Sequence, residues 1–230
     1  MVNMSLFALS DLHLSLANEN KSMEIFRGWE NYTERISKNW KKIISPDDTV
    51  VLGGDISWSV GLSAAVKDFE FINALPGKKI ILKGNHDFWW STMARMNAFM
   101  AENKFDTISM LRNNCYTVGK YAVCGTRGWL YDCGEEDSLI LKREAGRLET
   151  SIAAAEKTGL EPAVFLHYPP VYGEYVCTEI IDVLERHKIS RVWYGHIHGP
   201  GRYHTVSEYK GIHFRLISCD CVDFTPVLII

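Results

Sequence analysis

No stretch of the 230 residues approaches the ~20 consecutive apolar residues that a membrane-spanning helix needs, so no transmembrane segment is expected. The start, Met1-Val2-Asn3-Met4, lacks the positive region of a secretion signal and reads as the approach to a first strand. The six cysteines, Cys115, Cys124, Cys133, Cys177, Cys219 and Cys221, include no C-x-x-C pair. Without a secretory context they predict free, buried thiols and not a disulfide framework, with Cys219 and Cys221 on one face of a strand. Basic excess is also missing: 25 Lys and Arg stand against 28 Asp and Glu, for a net charge of −3. A phosphate-backbone binder leaves a basic footprint, so no clear nucleic-acid-binding patch is expected. Repeats, low-complexity tracts and linkers are absent as well, which points to one cytoplasmic domain over residues 1–230.

What is present is globular. Hydrophobic residues make up 47% of the chain and aromatics 12%, enough for one substantial core. Apolar residues at steps of three and four predict helices. The first runs from about Met23 to Ile44 through Ile25, Trp29, Tyr32, Ile36, Trp40 and Ile43, and stops at Ser45-Pro46. A second carries Leu62, Val66, Phe69 and Ile72, and a third, capped by Ser91, carries Met93, Met96 and Met100. Leu141, Ala145, Leu148, Ile152 and Ala155 mark a fourth, and Val176, Ile180, Val183 and His187 a fifth. Alternating patterns predict hairpins over Cys115–Gly125 and Arg202–Cys219, the latter turning at Tyr209-Lys210-Gly211. Strands alternating with helices, followed by hairpins, indicate a mixed α/β domain.

Five short motifs concentrate oxygen and imidazole ligands. They are Asp11-Leu12-His13, Gly54-Asp55, Gly84-Asn85-His86-Asp87, His167, and Gly195-His196-Ile197-His198. Each follows a strand-like apolar run: Leu6–Leu9, Val50–Leu52, Ile80–Leu82, Ala163–Leu166 and Val192–Tyr194. Strands of one α/β sheet would bring all five to the edge outside their carboxyl ends, where such sheets bind ligands. His187, His204 and His213 fall outside this pattern and are not assigned to it.

The order D-x-H, G-D, G-N-H-D, H, G-H-x-H resembles the calcineurin-like metallophosphoesterases, with every member present between Asp11 and His198. The phrases around Trp58, Trp89-Trp90 and Trp129 resemble a bacterial phosphohydrolase branch of that superfamily. The resemblance implies a four-layer α-β-β-α sandwich of two mixed sheets flanked by helices. It implies two divalent transition metal ions, drawn from Mn, Fe, Zn or Co. Asp11, His13, Asp55 and His198 would hold the first, and Asp55, Asn85, His167 and His196 the second. The nitrogen and oxygen donor set suits such metals better than calcium. In a site of this kind, metal-activated hydroxide attacks the phosphorus and His86 protonates the leaving group. Asp87 is expected either to orient His86 or to shape its loop.

The chain departs from the protein phosphatases of the superfamily, whose second motif continues to an Asp and an Arg. Here those positions are Trp58 and Ser59. Arg127 is then the candidate substitute phosphate clamp, with a structural arginine as the competing reading. Trp58, Phe88, Trp89, Trp90, Trp129 and Tyr168 lie next to ligand loops, as core or as a stacking surface. The expected partner is a small phosphodiester or pyrophosphate-type ester. Phosphomonoesterase, nuclease and a non-catalytic metal-binding interaction module on the same fold remain the alternatives.

Overall fold

The computed structural model describes residues 4–18, 21–129 and 135–229, the side chains of 135–137 excepted. Cys133 lies outside these residues. In chain order the elements are β1 (Leu6–Leu9), α1 (Tyr32–Ile43), β2 (Thr49–Leu52), α2 (Val66–Ala74), β3 (Lys78–Ile81), α3 (Met93–Glu102), β4 (Ile108–Met110), β5 (Tyr116–Val118), β6 (Tyr121–Thr126), α4 (Glu135–Glu156), β7 (Glu161–Leu166), β8 (Val171–Tyr172), β9 (Tyr175–Val176), α5 (Thr178–Arg186), β10 (Arg191–Tyr194), β11 (Glu208–Tyr209), β12 (Ile212–Leu216) and β13 (Val227–Leu228).

Two mixed sheets form, in the orders β13-β1-β2-β3-β4 and β11-β12-β10-β7-β6-β5. The inner strands of each run parallel, and antiparallel partners close the edges at β13, β11 and β5. Period-two alternation divides each strand between two cores. Leu6 and Ala8 of β1, Val51 of β2 and Ile80 of β3 face Val123, Ala163, Phe165 and Trp193 of the other sheet. Phe7, Leu9, Val50, Leu52 and Ile81 face the opposite way, onto Ile36 and Trp40 of α1, Phe69 of α2 and Met96 of α3. Cys124, Val164, Leu166 and Val192 pack on Leu148 of α4 and Ile180 of α5. The result is the four-layer α-β-β-α sandwich of two mixed sheets.

Several local expectations need correction. The first helix begins at Tyr32, not Met23. Only a short 3-10 turn forms at Met23–Ile25, and Gly28 (φ 93°) and Asn31 (φ 52°) then turn the chain through left-handed backbone before α1. Ile25 matches the apolar spacing, yet it is 79% exposed. The cap of α3 is Thr92, whose side chain accepts from the Arg95 N–H, one residue after the expected Ser91. Val176 belongs to β9 and not to α5. Before β11 the second hairpin is a 3-10 turn over Gly199–His204, and Cys219–Cys221 is a 3-10 turn instead of a strand. Cys115, Cys124, Cys177, Cys219 and Cys221 are free. Among the described residues no helix is long and apolar enough to cross a membrane.

Candidate metal centre

The five motif loops leave five parallel strands, but those strands are divided: β1, β2 and β3 in one sheet, β7 and β10 in the other. The two edges are stitched where Ser10 bridges Ser218, with the Ser10 N–H donating to Ile217 O and the Cys219 N–H donating to Ser10 O. The expected single edge is therefore a seam between two sheets.

At this seam two ligand groups form, Asp11 with His13 and His198, and Asp55 with His167 and His196, each with ligand atoms within 4.8 Å of one another. His13 Nε2 lies 3.2 Å from His198 Nε2, and His198 Nε2 lies 3.6 Å from Asp11 Oδ1. In the second group Asn85 Oδ1 sits 2.6 Å from His167 Nε2 and 3.0 Å from His196 Nδ1. Asp55 spans the two: Oδ2 is 3.9 Å from His13 Nε2, and Oδ1 is 3.5 Å from His167 Nε2. Metal–ligand bonds of about 2.0–2.2 Å place the donors of one ion roughly 3–4 Å apart, so these spacings fit a cation at each group.

Backbone geometry concentrates at the same residues. Asp11 (φ 61°), His13 (φ 46°), Asp55 (φ 52°) and His196 (φ 71°) all adopt left-handed backbone. Such conformations cost on the order of 1–3 kcal/mol each and persist where surrounding contacts impose them. Here the contacts are visible. The Asp11 N–H donates to Gly54 O, the His13 N–H to Asp55 O, and the His196 N–H to the Asp11 carboxylate. The glycines of two motifs permit the close approach: a Cβ on Gly84 would overlap Asp55, and one on Gly195 would overlap Ser10 and Asp11.

Three of the four ligand imidazoles, those of His167, His198 and His13, also meet a partner on the side away from the centre. His167 Nδ1 donates to Gly53 O, leaving Nε2 to accept a cation. His198 Nδ1 pairs with Asp220 Oδ1 at 2.8 Å, and Asp220 Oδ2 accepts the Gly199 N–H. The indole Nε1–H of Trp58 donates to His13 Nδ1 at 2.6 Å. Asp220 lies outside every motif, and sequence reasoning misses it. Its only sequence signal is an acidic residue between two cysteines.

Electrostatics supports cation binding. Burial holds His13 and His167 down at about 3 and His196 at about 4, so these rings are neutral and keep their lone pairs at ordinary pH. Burial, reinforced by the Asp11 and Asp87 charges, pushes Asp55 far above the carboxylate range. For Asp11, burial is outweighed by the hydrogen bond and charge of His198, and the carboxyl is held well below that range. Burial opposes charge on His198 too, but Asp11 and Asp220 push it up to about 10.

The remaining expected site residues separate from the ligand groups. His86 is exposed, and its ring centroid lies 5.7 Å from that of His13 and 6.1 Å from that of Phe88. Its backbone N–H, not its ring, donates to Asp55 Oδ1. The Asp87 carboxylate is buried and accepts from the N–H groups of Asp55, Ile56, Ser57 and Gly84 and from the Trp89 indole. These bonds tie the Gly-Asp loop to the Asn-His loop, and none of them goes to the His86 ring. The Arg127 guanidinium turns toward Glu144, at 3.8 Å, and lies over the Trp129 ring, with Cζ 4.7 Å from its centroid. Only its carbonyl reaches the metal loops, accepting from the N–H groups of His167 and Tyr168.

Comparison with known proteins agrees with this architecture. The solved structure of TT1561 of Thermus thermophilus superposes with a TM-score of 0.59 at 11% identity, covering 98% of this chain and 97% of that one. AQ665 from Aquifex aeolicus, described as a protein of unknown function, gives 0.53 at 16% identity over 98% and 96%. The Gene 66 protein of Mycobacterium phage L5 is 31% identical over 78 residues, which are 34% of this chain and only 37% of the phage protein's length. The profile of the calcineurin-like phosphoesterases matches residues 4–200, and with the two-sheet fold and two ligand groups already described, the chain belongs to that family.

Proposed function

We propose that the chain is a two-metal phosphohydrolase acting on a small phosphodiester or pyrophosphate-type ester. Membership in the family implies metal-dependent phosphoester hydrolysis. The finer reading rests above all on Asp55, whose two carboxylate oxygens face the two ligand groups separately. Asp11, His13, Asp55 and His198 hold one cation in this reading, and Asp55, Asn85, His167 and His196 the other. When bound, such a pair polarises phosphoryl oxygens and makes water a nucleophile near neutral pH.

The chain's own groups do the rest. Asn85 contributes a neutral oxygen, which leaves the pair enough positive charge to attract an anion. The His86 ring stands beside the first ligand group without joining it, and protonates the leaving oxygen. Partial desolvation of the ring and the nearby Lys21 hold its pKa below the ordinary value, a shift that a substrate anion would oppose. The His86 ring is flanked by Phe88 and by Trp58, which stands at the sequence position where a protein phosphatase carries its supporting Asp. Apolar walls of this kind suit an organic ester better than a phosphoprotein backbone.

The test is leaving-group dependence. His86→Asn keeps both metals and loses roughly 10²-fold or more in kcat, the usual scale for a general acid. The loss shrinks for esters with acidic leaving groups. Equal loss across leaving groups of very different pKa removes His86 from this role. Turnover of phosphopeptides well above diesters and pyrophosphates overturns the substrate class.

A further inference from the structure

Next to the metal seam the structure holds a second cleft. It opens at the carboxyl ends of β3 and β4 in one sheet and β6 in the other, and α4 closes its side. Its volume is about 220 Å³, and Lys83, Arg112, Arg127, Arg143, Glu144 and Arg147 supply its charged lining. Five cations thus face one carboxylate in a chain whose net charge is −3. Such a concentration is local and is not a property of the surface at large.

The single acid is already committed. Glu144 is fully buried, accepts from the Thr126 hydroxyl, and pairs with Arg147 and, at 3.8 Å, with Arg127. Among the described residues, no carboxylate is paired with Lys83, Arg112 or Arg143. Among the described residues the Arg112 guanidinium donates only to a carbonyl, that of Ser91. The Nε of Arg127 is buried without a hydrogen-bond partner. Lys83 is partly buried. Such an arrangement is costly unless an anion completes it.

The cleft also shares its walls with the metal loops. Lys83 immediately precedes Gly84 and Asn85, and the Arg127 carbonyl accepts the His167 N–H at 3.1 Å. Its volume lies below the roughly 300–1,000 Å³ of pockets that take drug-sized molecules, which fits a phosphoryl or diphosphoryl group and not a nucleoside. Guanidinium forks match phosphoryl oxygens in pairs.

We propose that this cleft is a second anion subsite, which seats a phosphate carried by the substrate beyond the scissile one. The inference rests on the phosphohydrolase reading above, and its test separates the two. The substrates are alkyl 4-nitrophenyl phosphodiesters whose alkyl chain ends either in a methyl group or in a phosphate, over a series of chain lengths. For at least one length the terminal phosphate lowers KM roughly tenfold or more, the scale of one or two hydrogen bonds to a charged group, with little change in kcat. Arg112→Gln and Arg143→Gln, which leave the Glu144 network intact, each remove most of that advantage and spare turnover of the methyl-ended ester. If no chain length benefits, or if the advantage survives both substitutions, the subsite assignment falls while ester hydrolysis stands. Inorganic pyrophosphate is titrated calorimetrically into chelator-treated protein as an independent arm. Saturable binding that both substitutions weaken supports an anion site even if none of the esters turns over. No binding overturns it. Binding without any KM advantage identifies a site for a free anion and overturns the substrate assignment.

Discussion

Trp58→Phe is expected to tighten metal binding at the Asp11, His13 and His198 group. His13 turns Nε2 toward the centre and Nδ1 toward the indole, whose N–H donates to it at 2.6 Å. In a neutral ring that bond puts the proton on Nε2. A cation at Nε2 needs that lone pair, which moves the proton to Nδ1 and sets it against the indole N–H. The indole must then turn away and give up its hydrogen bond. A hydrogen bond of this kind is worth about 0.5–1.5 kcal/mol net, which corresponds to a roughly two- to twelvefold gain in affinity once the competitor is removed. Phenylalanine keeps an apolar ring against His86 but has no donor. The assay is calorimetric titration with manganese in an Asn85→Ala background, which disables the second group and isolates the first. Unchanged or weaker binding in the Trp58→Phe protein refutes the competition.

Asp220→Asn removes the anion behind His198 and weakens the same group by roughly 10–100-fold, the usual cost of losing such an outer partner; unchanged affinity by titration would make Asp220 a bystander. Gly84→Ala drives a methyl group into Asp55 and destabilises the fold by about 1–3 kcal/mol, whereas Gly146→Ala, in open space on α4, stabilises by about 0.5–1 kcal/mol. Equal melting temperatures for the two variants would contradict that contrast. His187 lies between Glu149 and Glu156, which outweigh its partial burial and raise its pKa above 6.5. Its contribution to stability is therefore complete below pH 6.5 and lost as pH rises through the raised value. His187→Gln should lower Tm at pH 6 and converge with the parent near pH 9, and a pH-independent difference would exclude the ion pairs as the cause.

The residues of the two groups are legible in the sequence as candidates because each lies in a short motif at the end of a parallel strand, although those ends meet at a seam between two sheets and not at one edge. Which sheet each strand joins is not legible from the residues alone. Apolar runs such as Val50–Leu52 and Ala163–Leu166 read alike, and the split depends on pairing over long sequence separations. Asp220 escapes because it sits on a 3-10 turn carried to His198 by the Ser10–Ser218 bridge. The cationic cleft escapes for the same kind of reason: Lys83, Arg112, Arg127 and Arg143 come from four separate segments, and none forms a local pattern. Periodicity overextends the first helix because Ile25 and Trp29 fit a helical spacing, although Gly28 and Asn31 favour the left-handed turn that separates them from α1. Trp29 is buried all the same, packed edge-on against Tyr32, Phe224 and His198 from the loop.

In the proposed site Asp55 bridges two cations. The most direct test is anomalous diffraction at the manganese edge from crystals of manganese-loaded protein. Two peaks are expected roughly 3.5–4 Å apart with the Asp55 carboxylate between them, Asp11, His13 and His198 around one and Asn85, His167 and His196 around the other. A single peak, or two peaks with Asp55 bound to only one, would contradict it.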